Sequence, residues 1–130
     1  MIVYNKELAE GFGYTVESER GEAKPFKVTI VPIDSVRLVT LEDGLLKRGA
    51  DNSLSLSTGS HNVSLCKNAI TGWDNLVDSK NKPIELILDG NGFISEESLG
   101  LLPTTVITEI AGVISSVSQD PATIQMFTEE

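Results

Sequence analysis

Two stretches of this chain space their apolar residues at alternating steps of three and four, a period that gathers them onto one face of a helix. Val63, Cys66, Ile70, Trp73 and Val77 form the first series, widened by Leu65, Ala69 and Leu76. This spacing predicts a helix over about 61–77. Val106, Ile110, Val113 and Val117 form the second, accompanied by Ile107 and Ile114 and opened by Pro103, whose fixed φ suits a first helical turn. The simplest packing presses the two stripes together, with Trp73 at the edge of an aliphatic seam.

Elsewhere the periodicity changes. Phe26-Lys27-Val28-Thr29-Ile30-Val31 alternates with β-branched residues, a weaker alternation runs from Tyr14 to Glu19, and Gly21 lies between them. This pattern predicts a hairpin that stops at Pro32, which cannot donate a ladder hydrogen bond. Asp34 or Ser35 then offers a helix cap, Leu38, Leu41 and Leu45 recur at helical spacing, and Gly49 follows Lys47 and Arg48 as a stop. Gly44 weakens that helix by about 1 kcal/mol relative to Ala. The Ser-rich stretch 51–60 reads as a loop, 83–88 as a short strand, and Ser95 as the cap of a short helix to Leu101. The expectation is an α+β chain, an N-terminal β-hairpin followed by a small bundle of three to four helices. It forms a single domain over 1–120 with an acidic C-terminal tail over 121–130.

A chain of 130 residues that is 40% hydrophobic can bury a core without disulfide or metal staples, and with 5% aromatic residues that core must be aliphatic. The formal charge of −9 repels phosphate backbones and anionic headgroups, and Arg20, Arg37 and Arg48 are too few for a nucleic-acid footprint. Neither nucleic acid nor membrane is expected as a partner. Cys66 is the one cysteine, which excludes an intrachain disulfide and fits a reducing compartment. The first residues, Met1 to Glu7, lack the apolar run of a signal peptide, so a soluble intracellular protein is expected.

Most of the chemistry suggested by short motifs fails on spacing. Asp89-Gly90-Asn91-Gly92 resembles a calcium loop. Placing Gly92 at the required glycine puts Ile87 and Ser98 at ligand positions, and starting at Asp89 puts Phe93 and Ile94 where a ligand and the glycine belong. It reads as a turn and helix cap. His61 has no second His to join it, and Cys66 lies on an apolar stripe, where a thiol behaves as a small hydrophobe. Glu17, Glu19, Glu22, Glu42, Asp43, Glu129 and Glu130 are scattered carboxylates of the kind that mark solvated faces. Gly11-Phe12-Gly13 lacks the third glycine of a dinucleotide fingerprint. Asn62-Val63-Ser64 matches a glycosylation sequon without a secretory route to modification. No enzyme, cofactor or metal site is expected.

Interaction surfaces are better motivated. Trp73 beside Gly72 fits two roles, an edge-of-core anchor or a docking residue, and Leu76 shares its stripe. In the tail, Ile124, Met126 and Phe127 stand among polar residues. They can either dock in a partner's groove or belong to a disordered end.

The run Cys66 to Asp78, with Gly72, Trp73 and Leu76 toward its end, is followed by Lys82-Pro83-Ile84-Glu85. Later come Ile94 to Leu102-Pro103 and then Val106, Glu109, Ile110 and Ile114. This layout resembles small tail assembly chaperones of tailed bacteriophages and their prophage relatives, in which a helix ends in Gly, Trp and Leu, an acidic turn with a proline follows, and Leu-Pro opens a last helix. The strand Phe26 to Val31 ahead of a helix is similar to the opening of such proteins. The likeness spans about Phe26 to Ser118; the stretch 51–60 and Gly11-Phe12-Gly13 have no counterpart in it. The resemblance implies a non-enzymatic protein of the bacterial host cytoplasm, compatible with a homo-oligomer, that keeps the tape-measure protein soluble and recruits tail-tube protein. An acidic surface with aliphatic grooves suits a long, helical, amphipathic client. The alternative is a virion component, a tail-completion or adaptor protein assembled in rings through its hairpin edge.

Overall fold

A computed structural model describes residues 10–43, 46–48, 54–56, 58–120 and 123–127, excepting the side chains of 42, 43, 46–48, 54–56, 58–60, 125 and 126. The chain is α+β, with an N-terminal hairpin ahead of its helices. Strand β1 (Phe12–Thr15) pairs antiparallel with β2 (Lys27–Ile30), Phe12 opposite Ile30 and Thr15 opposite Lys27. A 3-10 turn over Glu17–Glu19 begins the connection. Alternation in β2 does what a half-buried strand requires: Lys27 and Thr29 face water, Val28 and Ile30 face the core.

Helix α1 (Ser35–Asp43) is capped by Asp34, whose Oδ1 accepts the Arg37 N–H at 2.9 Å. Leu38 is buried and Leu41 packs against the core, as their spacing predicts, while Gly44, Leu45 and Gly49 lie outside the described residues. That helix does not reach Lys47 and Arg48. Instead β3 (Leu46–Arg48) pairs antiparallel with β4 (Leu54–Leu56) in a separate two-stranded sheet. The Leu-Ser-Leu alternation of β4 is a strand pattern that the surrounding serines disguise as loop.

The largest departure lies in the predicted helix over 61–77. Helix α2 runs Thr58–Ala69, and the chain then changes to strand β5 (Ile70–Asp74), which pairs antiparallel with β2 and completes a sheet of order β1-β2-β5. Two causes converge. Ile70 and Thr71 are β-branched and Gly72 disfavours helix, while the backbone groups of β2 on the side away from β1 need partners. The Val31 N–H donates to the Ala69 carbonyl at 2.9 Å where the ladder begins. With the helix cut at Ala69, its buried face is Leu65, Cys66 and Ala69, and the stripe members Val63 and Val77 are exposed.

The stretch 83–88 forms no strand of its own. It is an extended segment bounded by single bridges, Val77 with Pro83 and Leu88 with Ile94. Helix α3 (Glu96–Leu99) begins where Ser95 accepts the Ser98 N–H at 3.1 Å. Helix α4 (Thr104–Gln119) follows, with Pro103 as its cap residue rather than its first helical position. A last turn, α5 (Ile124–Phe127), ends the described chain. The core joins Tyr14, Val28 and Ile30 of the sheet to Leu65 and Cys66 of α2 and to Ile110, Ile114 and Val117 of α4. Helices α2 and α4 do pack together, and the Cys66 thiol points at the Ile107 carbonyl at 3.7 Å. Among the described residues no helix is long and apolar enough to cross a membrane.

Candidate protein-docking site

Strand β5 ends at Asp74, and Asn75 after it takes the left-handed conformation (φ 68°) that Asn tolerates better than most residues, its Nδ2 donating to the Pro25 carbonyl at 2.8 Å. The chain then folds back on itself. Asp78 Oδ1 accepts the N–H of Lys80 at 2.8 Å and of Lys82 at 3.0 Å, Asn81 adopts φ 64°, and the Ile84 N–H donates to the Leu76 carbonyl at 2.7 Å. The returning segment is fixed at its far end by Ser98, whose hydroxyl accepts the Ile87 N–H at 2.9 Å, and by the Ser95 N–H, which donates to the Ile87 carbonyl at 2.8 Å.

Between β5 and this returning segment lies an open groove of about 480 Å³. Its apolar lining comes from Trp73, Leu76, Ile84, Leu86 and Leu88, and its charged lining is Asp74 and Glu85. Trp73 stands opposite Val28 on β2, half-buried, with its ring 6.0 Å from that of Phe26. Its indole N–H donates to the Ile84 carbonyl at 2.9 Å, which ties the two walls of the groove together. Trp73 is thus an edge-of-core anchor, one of the two roles open to it, and it also lines the groove.

The tail residues lie elsewhere. Ile124 is 4% exposed and belongs to the core, which removes it as a free docking residue. Phe127 packs edge-on against Tyr14, ring centroids 6.1 Å apart, at the β1 side of the sheet, opposite to β5. Apolar residues that the sequence leaves without evident cover have found it within the chain. The Met126 side chain lies outside the described residues.

Cys66, Asp89 and His61 do not line the groove. Burial pushes the Cys66 thiol up to about 12, so it stays protonated and unreactive near neutrality. Asp89 closes a turn, its Oδ1 accepting the N–H of Asn91 at 2.8 Å and of Phe93 at 3.1 Å. His61 is half-buried on α2. Among the described residues no three His, Cys, Asp or Glu side chains gather as a metal site. Sequence reasoning placed Trp73 and Leu76 at an interaction surface but missed Asp74, Ile84, Glu85, Leu86 and Leu88. The alternation of Ile84, Leu86 and Leu88 was the available signal for the second wall. No protein-family model, curated protein or solved structure matches the chain.

Proposed function

We propose that this chain is a non-enzymatic tail assembly chaperone of a phage or prophage, which holds the tape-measure protein in soluble form in the bacterial host cytoplasm and helps recruit tail-tube protein. The observation that carries this reading is the groove. Gly72, Trp73, Leu76, Pro83, Ile84 and Glu85, which are among the residues that carry the resemblance to such chaperones, line it. Its lining mixes apolar side chains with polar ones such as Thr71 and Asn75, its charged groups are carboxylates, and the formal charge of −9 supplies a solubilising coat around it. A client polypeptide rich in apolar residues would be shielded in the groove while the acidic surface keeps the complex dispersed.

The test is to look in the neighbouring reading frames for a long helical protein and to co-express it with this chain as the candidate client. Wild type should raise the soluble fraction of that client, and Trp73→Ala and Leu88→Asp should lower it. Leu88 is half-exposed, so its replacement alters the groove without opening the core. A client that stays insoluble beside wild-type chain contradicts the reading. Detection of the chain as a stoichiometric component of purified particles would replace it with the virion alternative, a tail-completion or adaptor protein.

A further inference from the structure

The backbone of β5 adds something that the apolar lining alone does not. On β2, Phe26 accepts the Val16 N–H at 3.3 Å on the β1 side, whereas Val31 donates to Ala69 on the β5 side. Backbone groups alternate in direction along a strand, so Phe26, Val28 and Ile30 pair with β1, and Lys27 and Thr29 pair with β5. Gly72 and Asp74, opposite Thr29 and Lys27, therefore turn their backbone groups toward β2. Trp73, between them, turns its N–H and C=O the other way, toward the groove. Its indole is bonded to Ile84, but no backbone bond of Trp73 on the groove side occurs among the described residues. An unpaired strand edge beside an apolar groove is the arrangement that receives an added strand.

We propose that the β5 edge at Trp73 is a strand-docking site, which takes an extended client segment alternating apolar residues with Lys or Arg. This rests on the docking function proposed above and specifies what the groove receives. The charge follows from the lining: Asp74 and Glu85 are both exposed, and no Lys or Arg lines the groove, Lys80 and Lys82 belonging to the turn before it. Alternation follows from strand geometry, since one face of the added segment meets Leu76, Ile84 and Leu86 while the other projects cations to the rim. A helical segment would not use this edge, because its backbone groups are already paired internally.

The full chain can be titrated with a capped seven-residue peptide of alternating Val and Lys, and in parallel with its Val and Glu counterpart. Trp73 is the single tryptophan, so its emission reports the groove directly. The Val–Lys peptide should shift that emission saturably and slow exchange of the Trp73 amide, and the Val–Glu peptide should do neither. In the double variant Asp74→Asn, Glu85→Gln, whose replaced groups are exposed, affinity should fall about fivefold and lose much of its salt dependence. Absence of any Val–Lys response, equal binding of the Val–Glu peptide, or unchanged affinity in a folded double variant overturns the strand-docking site. If the client is nevertheless solubilised in co-expression, the docking function stands and only the strand mode falls; if both fail, both readings fall.

Discussion

Tyr14 on β1 donates its hydroxyl hydrogen to the carboxylate of Glu109 on α4, joining two residues 95 positions apart, and the same Glu109 oxygen accepts the Glu17 N–H at 2.8 Å. One carboxylate thus fastens the first strand and the turn after it to the longest helix. Tyr14→Phe should cost about 1–2 kcal/mol and Glu109→Ala more, since it strips two donors of their acceptor. Burial, followed by the hydrogen bond to Glu109, raises the Tyr14 phenol above its ordinary value. A raised acid binds its proton more tightly in the folded chain, so stability is unaffected below about pH 10 and falls as the pH climbs above it. Urea midpoints taken between pH 8 and 11 should show this decline, and Tyr14→Phe should reduce it.

Two glycines in the sheet region should respond differently to alanine. Gly11 has φ 116°, and a Cβ there would meet Val31 Cγ2 at 3.1 Å and the Ile30 carbonyl at 3.2 Å. Gly72 sits in ordinary strand conformation, with Thr29 Oγ1 at 3.8 Å from an added Cβ. Gly11→Ala should destabilise by more than about 1 kcal/mol, and Gly72→Ala should change stability by less than about 0.5 kcal/mol. Urea denaturation measures both.

Ile124 belongs to the core although the residues around it read as a tail. Ile124→Ala should therefore cost about 2–4 kcal/mol, the range for a buried aliphatic side chain, whereas a residue on a free end would cost almost nothing. Leu101→Ala is the comparison, because Leu101 is exposed and should move the midpoint little.

Cys66 should resist a thiol reagent at pH 8 in the folded chain and react at once in denaturant. Its thiol ionises at about 12 when folded, above its ordinary value of 9.0. Between those values only the unfolded chain loses the proton, so stability falls as the pH rises through that window. Labelling at pH 8 as fast as in denaturant would mean that Cys66 is not enclosed.

The α4 stripe was legible because every residue that its period selects meets the core along one uninterrupted helix. The stripe over 61–77 was not, because Ile70 and Trp73 face the core in either conformation, so hydrophobic spacing does not distinguish helix from strand there. What decides between them is β2, some forty residues earlier, whose open side is completed by β5. That contact has no local trace beyond the β-branched pair Ile70-Thr71 and the glycine after it. Of the docking groove, the Trp73 and Leu76 wall was readable from the sequence. The opposite wall leaves a trace in the alternation of Ile84, Leu86 and Leu88, but its placement across from Trp73 depends on how the Asp78 turn returns the chain, which no periodicity encodes.

Hydrogen exchange on the full chain, alone and co-purified with the proposed client, tests the docking account most directly. Slowed exchange concentrated at Trp73, Leu76 and Ile84 to Leu88 is the predicted result. Protection confined instead to the exposed outer face of α1 around Val36 and Val39, with Trp73 unchanged, would contradict it.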